Sequence, residues 1–563
     1  MSRLCLRPAC LRALAGFLVL ALVYATVAQA STYVVYIPLD SSIYPELETL
    51  NGLGLLDSYL DEIRPISRVE AARLTLEAET RFDEQGAEKS DYAPLARQIL
   101  RSLRHQLGRE IRWLERNQEN QQPTMAVPVQ RAEVQYLFSS GERRALRTGP
   151  QSGVNFNEGT PLMPNNAGIP TDPGSNEVAR VQGWAGFGGF LTGYGEGLVA
   201  GPFTRGVTGP PGSDSNRLRM LDGEAVVGLG NFALSFGREE MAWGLGHFTQ
   251  LAQSDNAYPF LAVRLQNIHP IHLPWIFRYL GPFRFQIFFG QLDDDRYFSQ
   301  PWIDGEIFSF KPLPTFEFGL THTIMFGGDF NNNYTWMGFL GRATGLSTGS
   351  PIGANTNSRG GIYLKFYVPK LRGLQFYTEI LGEDNLTKEL PPIGRFLPFL
   401  AVSYQAGFYL PRLTDDGLTD LRLEFEILEP NYSIHSDSLY WTYDDMLMGD
   451  PLGPNASEVD LQLGRWFLKR YRTSLDLFAT DRAPGIGTEQ FPGGTKEYSM
   501  GSAADLWELP LMLGDRYGSL GEVRLRLAAE YVWHINYTNH DSLRTLALLS
   551  FSLTPGWSSL IWH

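Results

Sequence analysis

The stretch from Phe236 to Gln266 gathers the side chains in this chain best suited to hold a ligand. Its middle reads Gly237-Arg238-Glu239-Glu240-Met241-Ala242-Trp243-Gly244-Leu245-Gly246-His247 and runs on through Ser254-Asp255-Asn256-Ala257-Tyr258-Pro259-Phe260. Arg238, Trp243, His247, Asp255 and Asn256 lie in it, and a glycine-broken segment around one Trp suits a ligand role. A second group, Asp329-Phe330-Asn331-Asn332-Asn333-Tyr334-Thr335-Trp336, mixes amides and aromatics, among them Asn331, Tyr334 and Trp336, the types that stack on sugar rings and bond their hydroxyls. Each group also has a plainer reading. Gly244 and Gly246 allow backbone angles that other residues resist, so the chain can fold tightly around Trp243 as a plug. Amides and aromatics also fill ordinary loops. For Trp243 packing is the expected outcome, because a flanking glycine pair serves tight folding better than open display.

Reactive chemistry is sparse. No His-Glu-x-x-His, Gly-x-Ser-x-Gly, phosphate loop or nucleotide fingerprint occurs. His247 has no second metal ligand nearby in sequence. Asp293-Asp294-Asp295-Arg296 could attract a cation, but adjacent carboxylates on an extended chain point in alternate directions and suit one ion poorly. A membrane-embedded hydrolase would need a Ser or Asp with a His at its side, and no spacing suggests one. The sequence therefore points to a non-enzymatic protein with no catalytic residue, metal or cofactor.

The elements that must position these groups fall into three parts, 1–30, 31–128 and 129–563. In the first, Arg3, Arg7 and Arg12 precede the apolar run Ala13 to Tyr24, and Ala28-Gln29-Ala30 supplies small residues for cleavage. This is the pattern of a signal peptide. Both cysteines, Cys5 and Cys10, lie within it, so a disulfide framework or a thiolate site is not expected in the mature chain. Losing the three arginines takes 47 basic side chains to 44 against 61 acidic ones, a net charge of −17. So acidic a chain is a poor partner for nucleic acid.

Residues 31–128 have helical period. Pro45 suits a first turn, and Leu47, Leu50, Leu53 and Leu55 give an apolar face. Ser67-Arg68-Val69-Glu70 reads as a capping box opening a helix from Arg68 to about Thr80. Tyr92 to Asn117 reads as one longer helix, with Leu95, Ile99, Leu103, Leu107, Ile111 and Leu114 on one side. Its arginines, Arg97 to Arg116, lie off that stripe and most simply face solvent. The segment Arg64-Pro65-Ile66-Ser67-Arg68-Val69-Glu70-Ala71-Ala72 resembles a single S-layer-homology repeat, which implies cell-wall polymer as a further partner. A packed periplasmic helical hairpin without ligand is the plainer reading.

After residue 128 the period changes to two. Val134, Tyr136 and Phe138 alternate with Glu133, Gln135 and Leu137, and Phe283 to Ile287, Leu421 to Ile427 and Val523 to Leu527 alternate as well. Such strands have one wet and one apolar face. No run of eighteen uncharged apolar residues follows residue 30, which excludes membrane helices but not a spanning barrel. Aromatics at 13% and 58 glycines fit a barrel or a large soluble β protein equally. Connections separate the two. Ile362 to Val368 and Leu374 to Ile380 are joined by five residues, whereas 141–179, 201–216, 328–359, 429–458 and 482–515 are long and rich in Gly, Pro, Asn and Ser. Short turns at one end and long loops at the other are the asymmetry of outer-membrane barrels. Tyr440-Trp441-Thr442-Tyr443 suits an interfacial girdle. About 16 to 20 strands fit the length. Barrel chains usually finish in an aromatic residue, whereas here Trp562 is followed by His563: either the last strand is Ser542 to Leu553 with a short tail, or that terminal signal is degenerate.

The Gly-Arg, Trp-Gly-x-Gly and Ser-Asp-Asn-Ala-x-Pro-Phe pieces of the first stretch resemble the signature of the Wzi-type capsule assembly proteins. So do Pro314-Thr315-Phe316-Glu317-Phe318-Gly319 running into Phe326-Gly327-Gly328, Glu379 to Asp384, and Gly449-Asp450-Pro451-Leu452-Gly453. These cover roughly residues 130 to 460 in the expected order. The resemblance implies a mainly β fold, a large antiparallel transmembrane β-barrel of about 18 strands with an N-terminal periplasmic α-helical region. It implies a place in the outer membrane, lipid around the barrel, and capsular or exopolysaccharide as the partner attached or organised at the surface. Arg238, Trp243, His247, Asp255, Asn256, Asn331, Tyr334 and Trp336 are then candidates for binding that polymer or for plugging the lumen. A diffusion porin or substrate-specific channel is the alternative.

Overall fold

The computed structural model describes residues 32–562 except 117–121, 148–154, 158–161, 164–165, 170–172, 201–217, 294–298, 329–355, 384–401, 431, 434–439, 445, 469, 484–495, 513–519 and 557–558. The segment expected to be a signal peptide, 1–30, and Asn331, Tyr334 and Trp336 lie outside the described residues.

Alternation dictates the main architecture. Along Thr124–Ser140, Val134, Tyr136 and Phe138 are 62%, 43% and 42% exposed, while the intervening Glu133, Gln135 and Leu137 are buried. The apolar side faces outward and the polar side faces a filled interior, the inverse of a soluble core. Eighteen long strands with this pattern close into one antiparallel barrel. They are β1 (Thr124–Ser140), β2 (Gly174–Phe187), β3 (Leu191–Ala200), β4 (Leu218–Leu229), β5 (Phe232–Arg238) and β6 (Leu261–Asn267). Then come β7 (Pro282–Gln291), β8 (Trp302–Leu313), β9 (Phe316–Phe326), β10 (Thr356–Val368), β11 (Leu374–Glu383) and β12 (Ser403–Leu410). The last six are β13 (Thr419–Leu428), β14 (Ala456–Phe467), β15 (Tyr471–Arg482), β16 (Glu497–Glu508), β17 (Leu520–Trp533) and β18 (Ser542–Thr554). Closure comes from β18 pairing with β1 from Ala132↔Leu553 to Ser140↔Thr545. The C-terminal tail is not loose: Leu560–Trp562 adds to the start of β1, opposite Thr124–Ala126.

The short connections β2–β3, β4–β5, β8–β9, β10–β11, β12–β13 and β14–β15 share one end of the barrel. Long connections share the other. No described helix is long and apolar enough to cross a membrane.

Four helices cover the short-turn end: α1 (Ile43–Gly52), α2 (Arg68–Glu84), α3 (Ala93–Gln106) and α4 (Gly108–Glu115). Their leucine faces form one apolar cluster that takes in Trp466 and Leu509 from the barrel rim. Pro411, in the β12–β13 turn, leaves Gly52 no room for a side chain: a Cβ there would lie 2.4 Å from the Pro411 Cβ. The single helix expected over Tyr92 to Asn117 is broken at Leu107, where the backbone leaves helical angles just before Gly108. The apolar row survives the break, because Leu103, Leu107 and Ile111 all stay buried. Ser67 caps α2, its Oγ accepting from the Glu70 N–H at 3.1 Å. Glu70 does not return the bond. Its carboxylate turns to Arg73 at 2.7 Å and to His269 at 2.6 Å, tying the helix start to the β6–β7 connection.

Candidate functional site

The interior of the barrel is built from both ends. From the short-turn side, residues 32–64 enter the lumen and bind its wall. Asp40 pairs with Arg131 at 2.6 Å, Glu48 with Arg422 at 2.5 Å and Asp61 with Lys365 at 2.8 Å. Arg284 donates to the Leu60 carbonyl at 2.9 Å. From the long-loop side, residues 239–260 fold inward. The two segments meet as a short antiparallel sheet, Ile63 opposite Trp243 and Arg64 opposite Ala242. This sheet lies within the barrel and is separate from its wall.

Trp243 is at the centre of this contact and is 0% exposed. Its indole N–H donates to Gln286 Oε1 at 2.5 Å, and its ring lies 5.0 Å from that of Phe288. Gly244 has φ +134 and faces the Glu379 carboxylate, whose Oε2 would lie 2.3 Å from any Cβ. That carboxylate accepts the backbone N–H groups of Leu245 and Ala252. Glu424 similarly accepts from His247 N–H at 2.7 Å and Phe248 N–H at 3.3 Å. Buried amides need such partners, and two wall carboxylates supply them where the inward segment has no ladder. The glycine and tryptophan pattern thus serves the packing of this turn.

A third segment completes the fill. Asp450 accepts from Leu452 N–H at 2.8 Å and bonds Thr249, while Ser254 N–H donates to the Met448 carbonyl at 2.7 Å. Asn256 Nδ2 donates to the Leu447 carbonyl at 2.9 Å. The girdle expected from Tyr440-Trp441-Thr442-Tyr443 is not there. Trp441 is fully buried inside the barrel with the Arg359 guanidinium 3.9 Å over its ring, because residues 440–443 turn inward onto the wall.

Between the segments lies a cavity of about 320 Å³, lined among others by Glu48, Arg64, His247, Asp255, Arg422 and Arg472. His247 approaches Glu48 at 4.0 Å. Burial, then Arg422, Arg472 and Arg64, hold its imidazole well below the ordinary range, so it is neutral at pH 7. Burial and Glu240 push the Asp255 carboxyl well above its ordinary value. Three carboxylates, Asp61, Glu62 and Glu317, come within 4.8 Å of one another elsewhere in the lumen. Lys365 and Lys311 already neutralise that group, pairing with Asp61 and Glu317.

At the long-loop end, above the fill, aromatic and charged side chains gather. Tyr258 stacks on Tyr443 with centroids 6.4 Å apart and planes 5° from parallel. Arg219 and Arg238 lie over the Tyr258 ring at 5.2 and 5.3 Å, and Arg219 pairs with Asp444 at 2.7 Å. Tyr258 is half-buried and Asp444 exposed. Flat rings flanked by forked donors and a carboxylate can stack on a sugar and bond its hydroxyls. Of the residues singled out from sequence, Arg238 belongs to this group, Trp243 and Asn256 to the fill, and His247 and Asp255 to the cavity. Arg219 and Asp444 are not among those candidates, and Tyr443 is expected from sequence only as part of an interfacial girdle. Arg219 opens β4 and the other two come from the β13–β14 connection, and a basic residue at a strand start carries no local signature.

The family model described as capsule assembly protein Wzi matches residues 147–536. An uncharacterized 55.8 kDa protein in the cps region of Klebsiella pneumoniae is 28% identical over 193 residues, which is 33% of this chain and 37% of that protein. The match thus spans little more than a third of that relative's length. Among solved structures, Escherichia coli Wzi, an outer-membrane protein involved in group 1 capsule assembly and described as a carbohydrate-binding β-barrel, has a TM-score of 0.61 at 17% identity. The likeness covers 92% of this chain and 98% of that one, and at this identity it is a likeness of fold. OprD of Pseudomonas aeruginosa has a TM-score of 0.42 at 8% identity over 78% of this chain and 94% of that chain, too distant in shape to inform function.

Proposed function

On the premise that this chain belongs to the capsule assembly protein Wzi family, we propose that it holds capsular or exopolysaccharide at the outer surface of the outer membrane and performs no chemistry on it. The observation that carries this reading is the Tyr258–Tyr443 stack with Arg219, Arg238 and Asp444, set at the long-loop end above a filled lumen. A barrel occupied by segments from both ends is suited to holding a polymer at its rim. A pore would need that space. In this reading the long loops face outward, and the helices covering the short-turn end face the periplasm, as is usual for such barrels. Trp243, His247, Asp255 and Asn256 then serve by shaping the fill, and Arg238 by contact with glycan.

The test is complementation of a deletion strain, comparing cell-attached with shed polysaccharide. Wild type should restore attachment. Tyr258→Ala and Arg238→Met should shed polymer while assembling with an unchanged heat-modifiable gel shift. A deletion strain that keeps all its polysaccharide attached would remove the basis of the proposal.

A further inference from the structure

On the outer, lipid-facing side of the barrel, β8, β9 and β10 bring together three side chains that no motif connects. His322 lies on β9 with Phe316, Phe318 and Leu320 on the same outward face. In the ladder it is opposite Glu306 of β8 and Gly360 of β10. His322 Nδ1 is 3.1 Å from Glu306 Oε1, and His322 Nε2 is 3.0 Å from Ser358 Oγ. With Nδ1–H donated to the carboxylate, Nε2 is left to accept the serine hydroxyl. Both spacings fall in the range of about 2.6 to 3.2 Å for a serine, its base and the group that orients the base. The His322 and Glu306 side chains are 26% and 20% exposed, so the group is reachable from outside.

Polar and charged side chains are costly against hydrocarbon and tolerated near its boundary. Toward the short-turn end the outward residues are apolar: Phe308 and Phe310 on β8, Leu320 on β9, Ile362 and Phe366 on β10. Toward the other end Asp304 shares the outward face of β8 with Glu306. Beyond the cluster Trp302, Ile324 and Phe326 follow on the same faces, so Glu306, His322 and Ser358 are a polar interruption within an apolar outward surface, near its long-loop end. Gly360 beside it has open space where a Cβ would be, leaving room across the ladder from His322.

We propose that Ser358, His322 and Glu306 form a hydrolytic site for acyl esters of the surrounding outer leaflet. Ser358 Oγ attacks the ester carbonyl carbon while His322 Nε2 takes the hydroxyl proton and Glu306 stabilises the imidazolium. The tetrahedral adduct collapses by breaking the bond to the alcohol oxygen, which leaves with the proton from His322. Water then attacks the acyl-serine, giving its proton to His322, and the carboxylic acid departs as the proton returns to Ser358. The net change is ester plus water to acid plus alcohol. This proposal rests on the barrel fold and is independent of the polysaccharide reading.

The test uses the purified full chain in phosphatidylethanolamine–phosphatidylglycerol vesicles, assayed for released fatty acid and for labelling by a fluorophosphonate. Wild type should release fatty acid and carry the label on Ser358. Ser358→Ala and His322→Asn should each fall to the vesicle background, with no further loss in the double variant, because the residues act as a unit. Glu306→Gln should lower turnover by roughly 10²- to 10⁴-fold while leaving Ser358 in place. All three variants should keep their gel shift and retain polysaccharide as wild type does. No label on Ser358, or fatty-acid release equal in wild type and Ser358→Ala, would overturn the proposal.

Discussion

Trp243→Ala tests whether the inward tryptophan packs or recognises. The indole is fully buried, its N–H is bonded to Gln286 at 2.5 Å, and its ring lies on Phe288. Removing it opens a cavity between the two lumen segments and should cost roughly 3 to 5 kcal/mol, the range for large aromatics in cores. About 1 to 3 kcal/mol of that belongs to leaving Gln286 Oε1 without its donor in a buried place. Trp243→Phe keeps most of the ring and should show mainly that smaller part. Two measurements separate the outcomes: the temperature of the heat-modifiable gel shift, and the fraction of polysaccharide that remains cell-attached. Trp243→Ala should shift at lower temperature and become cleavable within 239–260, with Trp243→Phe intermediate. Tyr258→Ala should show the opposite pattern, normal heat behaviour with shed polymer. Normal melting together with lost surface glycan in Trp243→Ala would refute the packing argument.

Acid should loosen the helices first. Burial opposes charge on Glu70 and Glu110, but Arg73 and His269 hold the first at about 2, and Arg68 and Arg109 hold the second at about 2, against an ordinary 4.5. Their stabilisation, roughly 3 kcal/mol each, is therefore complete above pH 4.5 and lost as pH falls toward 2, which hydrogen exchange over 68–115 would follow; constant protection down to pH 2 would contradict it. Arg264→Met strands Glu224 and Glu239, both buried against its guanidinium, and should cost about 3 to 5 kcal/mol in gel-shift stability, with part recovered by adding Glu224→Gln. In planar bilayers the whole chain should carry no large steady current, and removing residues 32–64 should raise conductance; a large current from the intact protein would favour the channel alternative. Protease added to whole cells should cut between 150 and 175 and spare the helices, and cleavage of 43–115 would reverse the topology.

Strand period, loop asymmetry and helix caps are local properties, and the sequence by itself determined them. Val134, Tyr136 and Phe138 declare an outward face because side chains alternate along any extended chain. Ser67 declares a helix start because its hydroxyl reaches only the backbone N–H groups that follow it. The bend at Leu107 was hidden because the apolar row runs through it unbroken. Tertiary structure alone decided which connections fill the barrel. An aromatic run such as Tyr440 to Tyr443 looks the same whether it meets lipid or turns inward under Arg359. Register decided the rest. Ladder pairing sets Ser358 beside His322 across 36 residues of chain and Glu306 beside it across 16. Inward folding sets Tyr258 on Tyr443 in the same way, and no spacing encodes either contact, because each depends on how separate strands slide into alignment.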